Sequence, residues 1–140
     1  AKLRAAVESA IHEGMEHFIC GMAEGCDLYF AETVLALKST YPHITLEAAI
    51  PCPSQADGWS EAQKSRYRDI LARCDYETMV QQSYTPGCMQ RRNRYMVDAS
   101  RILIAAFDGR PGGTARTLEY AALRKLEIIQ LPIDRAPVGI

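Results

Sequence analysis

Two spacings of apolar residues alternate along this chain, one typical of amphipathic helices and one typical of buried strands. Helical spacing covers residues 1–13, 27–38, 60–73, 86–100 and 113–125. Short apolar runs that predict strands lie at residues 17–20, 44–50, 76–80, 102–107 and 127–131. Because strand and helix alternate throughout, the pattern predicts an α/β fold with a mostly parallel sheet covered by helices on both faces.

The chain opens on a helix, although a domain of this pattern ordinarily opens on a strand. We therefore expect that the first strand of the sheet is missing from residues 1–140. The strands on either side of its place should then stand apart, or another segment should fill the gap. The 140 residues suffice for one domain with its own core and not for a second. The prediction is a single domain over residues 1–140.

Composition bears on several function classes. The net charge of −1 lacks the basic excess of a general nucleic-acid binder, so we expect no nucleic-acid partner. No apolar run reaches the roughly 20 residues that a membrane span needs, and no signal peptide is visible. The cysteines are odd in number and form no CxxC pair: Cys20, Cys26, Cys52, Cys74 and Cys88. From the cysteines we expect reduced thiols, no metal site and a cytoplasmic location. From the lack of a long apolar run we expect no membrane partner.

The stretch from Arg91 to Ala121 carries the clearest functional pattern. An apolar strand at 102–107, predicted to be buried on both faces, runs into the turn 108–114 and then into a helix. A similar arrangement follows the first strand, where the turn Gly21–Asp27 leads into the second helix. Glycines between a strand and a helix expose backbone N–H groups that suit an anion. We expect both turns to line one cleft at the carboxyl edge of the sheet, where α/β folds bind ligands.

Candidate ligand contacts on the two turns are Gly21, Gly25, Asp27, Gly112, Gly113, Thr114 and Thr117. Thr114 and Thr117 lie about one helical turn apart, so their hydroxyl groups suit phosphate or ribose oxygens. Helix capping is the alternative role for Thr114 and for Asp27. Glycines in such turns also serve tight backbone geometry without any ligand.

The helix between these two regions is rich in arginine. Its packed face is predicted to hold Met89, Asn93, Met96, Val97 and Ser100. A buried Asn93 must be hydrogen-bonded, so it either ties down a neighbouring loop or contacts the ligand. Arg92 flanks the packed face and is the better candidate to hold a phosphate or carboxylate through two parallel hydrogen bonds. A structural salt bridge to Asp98 or Glu119 is the alternative role for Arg92. Arg91 and Arg94 are expected to point into solvent.

Four motifs in order resemble the YpsA-like family of the SLOG superfamily: GMAEGCD, AIPCPSQADGWSE, YTPGCMQRRNRYMVDAS and DGRPGGTARTLEYA. The resemblance covers nearly the whole chain and implies a Rossmann-like three-layer sandwich. It also implies a pocket for a nucleotide or a nucleotide-derived small molecule, and no other cofactor is assigned. We expect a binding module that senses or sequesters such a ligand, and a homodimer is compatible with the resemblance. Family members begin with a strand that ends in a TGHR-like motif, which nothing in this sequence matches.

The same superfamily contains the Lonely Guy phosphoribohydrolases, which gives a nucleotide N-glycosidic-bond hydrolase as the alternative function. Those enzymes look like R-K-x-x-M followed by P-G-G-x-G-T-x-x-E, with the arginine and glutamate performing hydrolysis. This chain has Arg92 and Asn93 at the R-K pair and Thr117 at the glutamate position, and a threonine is no general base at neutral pH. The carboxylates left for acid or base catalysis are Glu24, Asp27 and Glu32. A DNA-binding role like that of DNA-processing protein A, a further member, is disfavoured by the neutral charge.

Overall fold

A computed structural model describes residues 2–107, 109 and 111–132 of the chain. Helices and strands alternate through these residues. The helices are α1 (Lys2–His12), α2 (Cys26–Leu37), α3 (Glu61–Arg73), α4 (Cys88–Asp98) and α5 (Gly113–Leu123). The strands are β1 (His17–Cys20), β2 (Thr45–Ile50), β3 (Tyr76–Met79), β4 (Ile102–Phe107) and β5 (Glu127–Pro132). The predicted α/β class and its Rossmann-like layering are confirmed.

The described strands form two open parallel sheets. One has the order β1-β2-β3 and the other pairs β4 with β5, and no ladder joins the two sheets within the described residues. β3 lies at the edge of its sheet. That a strand is missing from the sheet stays a prediction.

The first sheet separates an apolar face from a polar one. Phe18, Leu46 and Ile50 point into the main core, where they meet Leu28 and Ala31 of α2. Full burial of side chains of this size stabilises a fold by about 1.5–3 kcal/mol each. Because side chains alternate along a strand, the residues between them point to the opposite face. That opposite face carries Glu47, one of the two charged residues that the structure buries in the part it describes.

β4 is less buried than its sequence predicts. Only Ala105 falls among its buried residues, and Ile102, Leu103 and Ile104 are all partly exposed. The prediction of a strand buried on both faces is therefore wrong for these residues. The physical reason is that β4 pairs with β5 alone among the described strands, whereas β2 has a hydrogen-bonded neighbour on each side.

Local signals place most helix ends correctly. The Ser60 hydroxyl accepts a hydrogen bond from the Gln63 N–H at 3.3 Å and so caps α3, where the predicted helical range begins. α4 begins at Cys88 instead of at Pro86, because the Cys88 N–H first closes a turn on the Thr85 carbonyl. All five cysteines are free, which confirms the predicted thiols. None of the described helices has the length and apolar character that crossing a membrane would require.

Candidate functional site

The first glycine turn reverses the chain from β1 into α2 at the carboxyl edge of the sheet. Gly25 adopts φ 93° and ψ −125°, a conformation that favours glycine, and stands as the N-cap of α2 without any side-chain cap. Met22, which is fully buried, adopts φ 59°, a region that side chains disfavour. Backbone strain of this kind clusters at ligand sites. The uncapped N–H groups of the first turn of α2 are therefore available to an anion.

Asp27 stabilises this turn through hydrogen bonds to residues in the turn and directly before it. Its carboxylate accepts a hydrogen bond from the Ala23 N–H at 3.1 Å, and its carbonyl lies 3.0 Å from the Cys20 thiol. The capping alternative is therefore wrong, because the carboxylate reaches back across the turn and does not cap α2. Burial raises the pKa of Asp27, although the Ala23 N–H and the positive charge of Arg92 both act to lower it.

Arg92 lies beneath the turn and is 4% exposed. Its Nη1 donates hydrogen bonds to the Gly21 carbonyl and, at 3.2 Å, to the Gln55 side chain. Its Nε donates to Oδ1 of Asn93 at 2.8 Å. Burial lowers the pKa of Arg92, and the negative charge of Asp27 acts in the opposite direction. The guanidinium thus ties together the turn after β1, the loop after β2 and the helix α4.

The predicted packed face of α4 needs correction. Its buried residues are Cys88, Arg92 and Val97, whereas Met89 is 40% exposed. Arg92, expected at the flank of the packed face, therefore lies within that face. It can be buried because Gly21 and Gln55, from distant parts of the chain, accept its hydrogen bonds.

The two arginines expected to point outward do so. Arg91 donates a hydrogen bond at 2.7 Å to Gln81, and Arg94 stacks over the Tyr120 ring with its guanidinium carbon 5.3 Å from the ring centroid. Both side chains belong to exposed residues.

Gly21 is the residue that Arg92 requires at this position. A Cβ atom on residue 21 would lie 2.8 Å from Nη1 and 2.9 Å from the guanidinium carbon of Arg92. A Cβ atom essentially never lies this close to an atom of a distant residue, so any larger residue at position 21 would displace the guanidinium. Gly21, which was predicted as a ligand contact, thus leaves the space that the buried Arg92 guanidinium occupies.

A groove of about 250 Å³ separates α4 from α5 on the other side of Asn93. Its walls are formed by Gln90, Asn93, Arg94, Arg116, Thr117, Glu119, Tyr120 and Leu123. The Asn93 oxygen already accepts from Arg92, so its amide nitrogen is the group it can offer to a ligand. The Thr117 hydroxyl donates to the Gly113 carbonyl at 3.0 Å and keeps its acceptor capacity.

The second glycine turn leads into α5. Gly112 adopts φ 146°, and α5 begins at Gly113, where an added Cβ would lie 3.8 Å from the Gln90 amide nitrogen. Thr114 is exposed in the first turn of this helix. Residues 108 and 110 of the predicted turn lie outside the described residues. Gly113 and Thr117 therefore approach α4 from one side while Gly21 approaches it from the other, and a single ligand touching both turns stays a prediction.

The structure adds residues that the sequence did not single out. Gln55 contacts both Arg92 and the Gly21 carbonyl, to which its amide nitrogen donates at 3.4 Å. Its position in the loop after β2, at the same edge as the glycine turn, was the signal that could have found it. Glu32 pairs with Arg66 through contacts of 2.9 and 2.5 Å, so this candidate acid is held by a cation that lowers its pKa.

Comparisons with known proteins agree with the resemblance that the four motifs carry. A family model described as the YspA SLOG family matches residues 1–135. A UPF0398 protein of Halalkalibacterium halodurans is 35% identical over 118 residues, which cover 82% of this chain and 62% of that protein. The SPbeta prophage-derived protein YoqJ of Bacillus subtilis, described as uncharacterized, is 35% identical over 133 residues, covering 86% of this chain and 78% of its own length. This chain thus spans less than two thirds of the Halalkalibacterium relative.

Proposed function

This chain belongs to the YspA SLOG family, and we propose that it binds a nucleotide or a nucleotide-derived small molecule in order to sense or sequester it. The observation that carries the proposal is the buried Arg92 guanidinium under the first glycine turn. A buried cation costs free energy unless its surroundings satisfy it. Here it holds a strained glycine turn open at the edge of the sheet where ligands of α/β folds bind.

The two sides of α4 suit different parts of such a ligand. The N–H groups at the start of α2, above Gly21 and Gly25, suit a phosphate. Across the helix, the amide nitrogen of Asn93 and the hydroxyl of Thr117 suit ribose or base atoms in the groove. Arg116 adds a positive charge to the groove wall. The adjacent pair Arg92 and Asn93 joins the two halves through its 2.8 Å hydrogen bond.

A thermal-shift screen tests the proposal, with AMP and ADP-ribose as the first probes. We expect at least one nucleotide probe to raise the melting temperature of the wild type, because a ligand that binds only the folded state stabilises it. The Gly21→Ala variant should lose this shift, since the new methyl group displaces Arg92. Gly58→Ala is the matched control, because a Cβ at residue 58 meets nothing within 4 Å. No shift with any nucleotide would contradict the proposal.

One observation favours the hydrolase as a second candidate. Burial raises the pKa of Asp27, which is the direction of shift that a general acid requires. The occupied hydroxyl of Thr117 and the Glu32–Arg66 pair offer no equivalent group. Chromatography of AMP incubated with the protein tests this function. Release of adenine that disappears in Asp27→Asn would establish it.

The same proposal includes a cytoplasmic location and a homodimer. The free thiols of all five cysteines support a reducing compartment. Light scattering at several protein concentrations tests the homodimer, and a mass of one chain throughout would contradict it.

A further inference from the structure

A second polar anchor holds α4 against the sheet, away from the glycine turn. Its centre is Glu47 of β2, which is 8% exposed on the face opposite the main core. The Glu47 carboxylate accepts hydrogen bonds from three sides: His17 Nε2 of β1 at 2.8 Å, the Thr78 hydroxyl of β3 at 2.8 Å and the Tyr95 hydroxyl of α4. Two strands and one helix therefore meet on one carboxylate.

Glu47 carries its negative charge because this shell is complete. Burial alone would raise the pKa of Glu47, but the hydrogen bonds from Tyr95, His17 and Thr78 outweigh it and lower the pKa below its ordinary range. The other ring nitrogen of His17 lies 2.6 Å from the Thr45 hydroxyl, and Tyr76 contacts the ring edge-on. The cluster is thus a fully hydrogen-bonded unit built into the sheet.

The two buried charges are connected through α4. Tyr95 contacts Glu47, and Arg92, three residues earlier on the same helix, contacts Gly21. Residues three apart in a helix lie on the same face, so both side chains point from α4 toward the sheet. Glu47 lies in the middle of β2, whereas Gly21 follows the end of β1. α4 is therefore fixed to the sheet at two points, at Glu47 in the middle of β2 and at Gly21 beyond the end of β1.

We propose that Glu47 is a positioning residue for the glycine turn: through Tyr95 it fixes α4, and α4 in turn holds Arg92 under Gly21. The inference rests on the proposed function only for its consequence on ligand binding, because the coupling itself concerns the free protein. If the Tyr95 hydroxyl is lost, α4 keeps its apolar contacts but loses the anchor nearest to Arg92. The turn then opens more often, although no group within it has changed.

Amide hydrogen exchange measured by NMR tests this coupling without any ligand. The reporters are the N–H groups of Met22 and Ala23, which donate to the Cys20 sulfur and to the Asp27 carboxylate. Tyr95→Phe removes one hydrogen bond to Glu47 Oε2 and releases α4. Thr78→Val removes another hydrogen bond to the same oxygen but leaves α4 anchored, which makes it the matched control. Urea unfolding of each variant corrects the exchange rates for global stability.

After that correction, Tyr95→Phe should speed exchange at Met22 and Ala23 about tenfold, the factor that corresponds to about 1.4 kcal/mol and to one hydrogen bond to a charged group. Thr78→Val should change it by less than about twofold. Equal acceleration by the two variants, or none by Tyr95→Phe, would overturn the proposal.

Glu47→Gln provides a second variant if Tyr95→Phe does not fold, because the amide keeps the shape of the side chain and removes its charge. It should also speed exchange at Met22 and Ala23, and unchanged rates there would overturn the proposal. Thermal shift with AMP then separates the two hypotheses. If the wild type does not respond to any nucleotide, the proposed function fails while the exchange data still decide the coupling.

Discussion

The chain contains two units in which a strand, a glycine turn and a helix follow one another, and they differ in what supports the turn. In the unit β1–Gly21–α2, side chains from α2, α4 and the loop after β2 brace the turn. In the unit β4–Gly112–α5, the described contacts of the turn are few: the Thr117 hydroxyl bonds the Gly113 carbonyl, and Gln90 approaches Gly113. The second unit carries the stronger sequence motif, and among the described residues the first has the more constrained turn.

This difference shows that a glycine motif by itself does not define a binding site. Gly21 is required because a buried guanidinium occupies the space of a side chain, whereas Gly113 faces almost open space. A turn that is fixed before the ligand arrives loses less conformational entropy on binding. We therefore expect the first unit to supply the rigid part of the site and the second to supply adaptable contacts.

The largest expected effect comes from removing the cation of the first unit. Arg92→Ala removes the donor to the Gln55 side-chain oxygen, leaves the Gly21 carbonyl only the weaker hydrogen bond from the Gln55 amide, and opens a cavity. We therefore expect a loss of about 3 kcal/mol in the free energy of unfolding. Arg91→Ala, on the exposed side of the same helix, should change it by less than about 0.5 kcal/mol. Urea unfolding measures both, and similar values for the two variants would show that Arg92 is not a structural centre.

Alanine substitutions at Gly21 and Gly113 should affect stability differently. Gly21→Ala should cost about 2 kcal/mol in unfolding free energy because Arg92 must give up its hydrogen bonds. In an Arg92→Ala background the same change should cost much less, since the clash is gone. Gly113→Ala should be neutral or stabilise by up to about 1 kcal/mol, because alanine favours the helix and meets nothing closer than 3.8 Å. Equal losses at both glycines would contradict the difference between the units.

The hydrogen-bonded cluster around Glu47 should make the stability of the protein depend on pH. The pKa of Glu47 in the folded state lies below its ordinary value of 4.5, so its stabilisation is present at neutral pH and is lost as the pH falls through the lowered pKa. Unfolding measured between neutral pH and the acid range should therefore show a steeper loss for the wild type than for Glu47→Gln. Parallel pH profiles would mean that Glu47 is not the titrating group.

The smallest expected effect concerns Asp27. Its pKa in the folded state is raised by burial above the ordinary value of 3.8, so its contribution is favourable at low pH and is lost as the pH rises through the raised pKa. At pH 7 the neutral Asp27→Asn variant should be as stable as the wild type, or more stable by less than about 1 kcal/mol. A loss beyond that, measured in urea, would show that the charged form of Asp27 stabilises the turn.

The fold was predictable from the sequence, because the alternation of strands and helices is a local property of each segment. The burial of Arg92 was not, since its partners Gly21 and Gln55 are 71 and 37 residues away in the chain and leave no trace in the periodicity of α4. The exposure of β4 was also hidden, because it depends on which strands pair with it. The Glu47 cluster left one signal, an acid inside the otherwise apolar core of β2, which can be buried only when hydrogen-bonded.

Mapping where a nucleotide binds tests most directly whether the first glycine turn is a ligand site. We would record two-dimensional ¹H–¹⁵N NMR spectra of the wild type during titration with AMP and with ADP-ribose. We expect saturable shifts of the amide signals of Gly21–Asp27, with smaller shifts at Asn93 and Thr117 and no comparable change along α1. Unchanged spectra with both compounds, or shifts confined to residues away from the glycine turn and α4, would contradict the claim that the turn held by Arg92 is a nucleotide site.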